Sequence, residues 1–138
     1  MQMKDWKRIS LVAHDNLKKD LAEWAKFNQE VHKEHELCAT GTPGKLLADA
    51  LSLPVHRFRS GPLGGDQQIG AKIVMGDIDV FIFFWNPLEP HPHDVDVKAL
   101  LRIAVVYNVP VACNRATVDF IVSSELMHRE FDRIVREG

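Results

Sequence analysis

Five short runs rich in branched and aromatic residues recur along the chain: ISLVA (9–13), ELCAT (36–40), VHRF (55–58), VFIFF (80–84) and VPVAC (109–113). Longer amphipathic stretches separate them. This alternation predicts a parallel sheet covered by helices, because parallel strands are buried on both faces and are joined by crossovers of helical length. Between the first two runs Leu17, Leu21, Trp24, Phe27 and Val31 recur three or four residues apart and form one helical face, which puts Trp24 and Phe27 in the core. Further helices are expected near 45–51, 67–75, 97–107, 117–122 and 125–136. No repeat, low-complexity tract or linker interrupts the pattern, and 138 residues with 46% hydrophobic content suit one three-layer α/β domain over 1–138.

The formal charge of -2 offers no long-range field for a nucleic-acid backbone or an anionic membrane surface, so neither partner is expected. The apolar run VFIFFW (80–85) is far shorter than the roughly 20 residues of a membrane span, and MQMKDWKR at the start lacks a secretory apolar region. Cys38 and Cys113 sit in strand-like stretches without metal spacing and read as buried, reduced thiols of a cytoplasmic protein.

Open parallel sheets bind ligands at the carboxyl ends of their strands, where strand order reverses. The polar and glycine-rich segments collect there: HDNLK (14–18), TGTPG (40–44), SGPLGGD (60–66) and WNPLEPHPHDVD (85–96). A glycine-rich turn entering a helix presents backbone N–H groups and a favourable dipole to a phosphate. Hydroxyls of Thr40, Thr42 and Ser60 and the charge of Lys18 would complete such a cradle. Both turns also read as ordinary strand-to-helix connections with Thr40 or Thr42 as a cap. His91, His93, Asp94 and Asp96 allow three readings: metal ligands, a cap by Asp94 or Asp96 for the helix near Val97, or an imidazole–carboxylate pair for acid/base work. No further ligand cluster appears elsewhere, so no metal is expected. His14 and Asp15 fit a structural turn as well as a site. His32, His35, His56 and His128 read as surface or helix-end residues with nothing to pair them, and the run 33–36 as a solvated helix end.

Taken in order and with their spacing, LVAHDNLK, ATGTPG, SGPLGGDQQIGA, DVFIFFWNPL, PHDVDVKALLR and NVPVACNRATVDF resemble the methylglyoxal synthase family over about residues 9–122. The resemblance implies a Rossmann-like domain, a homohexamer, and a lyase without metal or cofactor that converts dihydroxyacetone phosphate to methylglyoxal and inorganic phosphate, with phosphate as a possible inhibitor. It makes Asp66 the catalytic base, with a pKa raised by partial desolvation. His93 would hydrogen-bond the substrate carbonyl oxygen, and Asp96 would move protons or orient His93. Lys18, Thr40, Gly41, Thr42, Pro43, Ser60 and Gly61 would hold the phosphate, with His14 lining the site and Asp15 nearby.

The chain departs from the family pattern twice. Asn86 stands where the family usually has aspartate; it cannot carry charge, so altered activity or pH dependence is expected. Pro43 stands where threonine is common and offers neither hydroxyl nor N–H, so weaker phosphate binding is expected. Related domains in carbamoyl-phosphate synthetase and purine-pathway enzymes leave a second reading, a non-catalytic regulatory domain that binds a phosphorylated ligand.

Overall fold

Residue alternation along two strands, β2 (Arg8–Ala13) and β5 (Val80–Phe84), sets the layers of the computed structural model, which describes residues 1–51, 54–89 and 94–136. Ile9, Leu11 and Ala13 join Val80, Ile82 and Phe84 on one face, where they meet Leu21 and Trp24 of α1 (Lys18–Phe27), Leu47 of α3 (Gly41–Leu51) and Val118 and Val122 of α6 (Arg115–Val122). Val12, Phe81 and Phe83 point the other way, onto Ile69 and Ile73 of α4 (Gly65–Val74) and Val97, Leu100 and Ala104 of α5 (Asp94–Val106). Side chains of period two thus feed two separate cores, one on each face. Each large apolar side chain so buried is worth about 1.5–3 kcal/mol.

Strands β3 (Glu36–Ala39), β4 (Val55–Arg57) and β6 (Val111–Ala112) complete a five-stranded parallel sheet of order β4-β3-β2-β5-β6. The chain runs outward from β2 to β4 and then returns to β5 on the other side, so the order reverses between β2 and β5. Their register pairs Ala13 with Phe84, the last residue of each strand. The segments after them therefore leave the sheet side by side, flanking a crevice. The α/β class, the five parallel strands and the flanking helices agree with the sequence reading.

Several local expectations are corrected. The segment 125–136 is not a helix: a 3-10 turn over Glu125–His128 gives way to β7 (Phe131–Asp132), which pairs antiparallel with β1 (Gln2–Met3). Tertiary anchors override its helical spacing. Lys7 Nζ donates to Arg129 O at 2.8 Å, and the guanidinium of Arg133 donates to Tyr107 O and Ile78 O. Phe27 is 85% exposed, because it is the last residue of α1 and the chain turns at Asn28 into α2 (Gln29–His32), whereas Trp24 is fully buried. Cys38 and Cys113 are half-buried; Cys38 donates to Ile9 O at 3.6 Å, and burial pushes its thiol up to about 11. The last run forms only two strand residues, since Pro110 has no N–H for a ladder and Asn108 turns the chain with a positive φ of 53°.

Candidate active site

His14 follows β2 directly and ties the two central strand ends together. Its N–H donates to Phe84 O at 3.0 Å, and its Nδ1 accepts from Asn86 N at 3.0 Å. The ring is buried, edge-on to Phe83. With Nδ1 an acceptor, the neutral imidazole carries its hydrogen on Nε2 and acts as a donor there. The turn holding it is a 3-10 helix over Asp15–Leu17, after which Lys18 opens α1; the side chain of Asp15 lies outside the described residues. Asn86 Oδ1 accepts from Leu88 N at 3.0 Å, so this side chain also closes the turn after β5.

Asp66 is the second residue of α4 and only 1% exposed. Burial of a carboxylate is costly, and its place in the first turn sets it where aligned peptide dipoles favour negative charge. The two glycines before it answer to different constraints. Gly64 has a φ of 105°, a left-handed conformation that L side chains rarely adopt. Gly65 is pressed against the preceding loop: a Cβ there would lie 1.9 Å from Arg59 O.

The loops after β3 and β4 meet at the Arg59–Ser60 backbone. Arg59 O accepts from Gly41 N at 3.4 Å, and a Cβ on Gly41 would lie 3.1 Å from Ser60 N. Ser60 O accepts from Gly65 N at 2.9 Å and from Leu63 N at 3.0 Å, while Gly61 opens a 3-10 turn over Gly61–Leu63. Thr40 is buried just before α3. The structure thus brings Thr40, Gly41, Ser60, Gly61 and Asp66 into one neighbourhood from two successive crossovers, β3 to β4 and β4 to β5. Thr42 and Pro43 lie in the first turn of α3, but their side chains are outside the described residues.

Asp96, half-buried in the first turn of α5, shares with Asp66, Gln67 and Gly70 a small cavity of about 100 Å³, closed by Leu100 and Ile103. The two carboxylates thus belong to one place. His91 and His93 lie outside the described residues, as does the side chain of Asp94, the first residue of α5. A cleft of about 350 Å³ at the other end of the sheet holds Arg8, Lys72 and Asp77, joined as ion pairs at 3.3 and 4.0 Å, and belongs to a different region.

Two features went unread in the sequence. Gln68 Oε1 accepts from Arg59 N at 2.8 Å, joining α4 to the loop after β4. The histidines read as unpaired are engaged. His32 is 1% exposed and edge-on to Trp24. His35 Nδ1 accepts from Lys7 N at 2.9 Å, its ring stacks on His128 at 5.6 Å, and His128 pairs with Glu34 at 3.0 Å. His56 lies edge-on to Phe58. Ligand atoms of Glu34, His35 and His128 lie within 4.8 Å of one another. The tautomer argues against a metal there: Nδ1 of His35 spends its lone pair on Lys7 N–H, and Nε2 of the neutral ring carries the hydrogen. His128 lies more than ninety residues from Glu34 and His35, which leaves no local pattern to read.

Residues 20–113 match the family model described as "MGS-like domain". The methylglyoxal synthase of Leptospira interrogans is 59% identical over 94% of this chain and 87% of its own length. That of Saccharophagus degradans is 56% identical over 92% and 82%. The crystal structure of methylglyoxal synthase from Elizabethkingia anophelis superposes with a TM-score of 0.94 at 47% identity, covering 99% of this chain and 90% of that one. A parallel sheet of matching shape, a buried aspartate behind two constrained glycines and relatives of this closeness lead to one assignment: the chain belongs to the methylglyoxal synthase family.

Proposed function

We propose that this chain, read as one domain over 1–138, is a carbon–oxygen lyase that converts dihydroxyacetone phosphate to methylglyoxal and inorganic phosphate, with Asp66 as the base. Membership of the family makes it an enzyme, a lyase acting on a small-molecule phosphate. One observation carries the assignment of the base: a carboxylate 1% exposed, in the first turn of α4, whose flanking backbone touches the Arg59–Ser60 peptide. A base so placed works beside a phosphate held on the same loop.

In this reading Asp66 takes a proton from the hydroxymethyl carbon, and the electrons of that C–H bond move toward the carbonyl oxygen to form an enediolate. His93, outside the described residues, hydrogen-bonds that oxygen as its charge grows, and Asp96 orients His93 or carries the proton. The C–O bond to phosphate then breaks, its electron pair leaving with the phosphate, and the enol left behind ketonises to methylglyoxal. Cleavage needs that bond roughly perpendicular to the enediolate plane, where it overlaps the π system. The cradle of Lys18, Thr40, Gly41, Thr42, Pro43, Ser60 and Gly61 therefore acts by fixing a torsion. His14 lines the site, with Asp15 and Asn86 as neighbours.

The reading extends to a homohexamer, to a cytoplasmic setting and to phosphate as an inhibitor as well as a product. Separately, among the described residues no helix is long and apolar enough to cross a membrane.

The test follows methylglyoxal and phosphate together after adding dihydroxyacetone phosphate. Equal release of both is expected, falling at least about 100-fold in Asp66→Asn. Undiminished turnover in that variant would remove Asp66 from the role of base.

A further inference from the structure

Two residues beyond Asp66 on α4, Gln68 reaches back across the start of its own helix and accepts from Arg59 N at 2.8 Å. The Arg59–Ser60 peptide is held from other sides as well: Gly65 N donates to Ser60 O at 2.9 Å, Gly41 N donates to Arg59 O at 3.4 Å, and Gly65 leaves no room for a Cβ against Arg59 O. Those contacts are backbone, and Gln68 contributes the side chain. We infer that Gln68 is a positioning residue that locks the phosphate-holding loop to the helix bearing the base, and thereby sets how the enediolate divides between loss of phosphate and return to substrate.

The inference rests on the function proposed above and concerns the steps after proton removal. The enediolate has two exits. A proton can return to carbon, restoring the starting bonds or giving the isomeric aldehyde phosphate; or the C–O bond can break, its electron pair leaving with the phosphate. The first exit tolerates many phosphate torsions, whereas the second needs one. Asp66 rides on α4, and Ser60 and Gly61 ride on the loop that Gln68 fastens. Any play between the two bodies lets the phosphate leave the perpendicular arrangement while the reacting carbon stays beside the base. Loss of the Gln68 bond therefore weakens elimination more than proton abstraction, because orientation supplies much of the advantage of the second step. Gln68 is itself exposed, so its replacement disturbs no core packing.

The experiment runs the reaction in D2O with the full chain and reads the deuterium in recovered dihydroxyacetone phosphate and its aldehyde isomer, divided by methylglyoxal formed. This ratio belongs to a single intermediate, so neither the active fraction nor substrate affinity moves it. Gln68→Met keeps length but has only a poor acceptor; Gln68→Glu keeps the acceptor oxygen. In Gln68→Met the ratio is expected to rise about fivefold or more, and in Gln68→Glu to stay within about twofold of the unaltered protein even where added charge weakens phosphate binding. A lower rate in Gln68→Met at an unchanged ratio would mean a merely structural role and overturns the inference, as does an equal rise in both variants. Absence of methylglyoxal from the unaltered protein would overturn the function itself, which separates the two failures.

Discussion

Gly64 and Gly65 are neighbours with different reasons to be glycine, and substitution separates them. A Cβ on Gly64 meets nothing within 4 Å but is held at a φ of 105°, so Gly64→Ala should cost about 1–2 kcal/mol with little change in KM. Gly65→Ala forces a Cβ into the Arg59 carbonyl at 1.9 Å, and that backbone has to move. A larger fall in Tm and a raised KM are expected for Gly65→Ala; equal effects in the two variants would contradict the close-approach account. The carboxylate after two glycines was legible in the sequence as a turn entering a helix. What each glycine does was not, since the position of Arg59 O depends on how the loop after β4 folds back on itself before α4. Asn86 is a similar case. Its Oδ1 accepts from Leu88 N, a bond that aspartate also makes, while its own N–H meets His14 Nδ1. Asn86→Asp should therefore leave stability within about 0.5 kcal/mol. A carboxylate beside His14 favours the imidazolium, so the acidic limb of the pH–rate profile should move to higher pH; an unmoved profile would show that this pair does not touch the rate.

Individual elements were legible in proportion to their burial. β2 and β5, central and covered on both faces, appear as apolar runs, broken inside only by Ser10 of β2, and lie within a residue of the expected bounds. The edge strands β4 and β6 have fewer partners and shrink to three and two residues. The segment after Ser124 was misread because its conformation is set by contacts with Lys7, Ile78 and Tyr107, which periodicity does not carry. Helix α6 is capped locally: Asn114 Oδ1 accepts from Thr117 N at 2.9 Å. Asn114→Ala should cost about 1 kcal/mol in urea unfolding. At the end of α2, His32 is lowered from its ordinary value to about 4, first by burial and then by the nearby His35, which is itself lowered. Above pH 6.5 the ring is neutral folded or unfolded. As pH falls from 6.5 toward 4 the unfolded chain takes up a proton that the folded chain refuses, so stability drops, by roughly 3 kcal/mol over the window. His32→Phe should flatten the dependence of unfolding free energy on pH there; an unchanged slope would place the linkage elsewhere.

Across the whole molecule the two ends of the sheet divide the work. The carboxyl ends gather the candidate site. The amino ends are held by buried cations that donate to carbonyls: Lys7 to Arg129 O, and Arg133 to Tyr107 O and Ile78 O. Arg133→Met should lower stability by about 1–3 kcal/mol while leaving kcat unchanged, because it orphans carbonyls far from the crevice; a fall in kcat at full folding would join the two ends functionally. The layer order was legible from strand spacing, and the crevice from where the glycines fall. The antiparallel ribbon was not, since its strands are two residues each. That ribbon pairs Gln2 with Asp132. During synthesis its first strand has to wait for about 130 further residues before its partner exists, whereas β2 and β3 can pair early. Sealing is therefore a late event of high contact order, and weakening the ribbon should quicken unfolding while leaving the folding rate untouched.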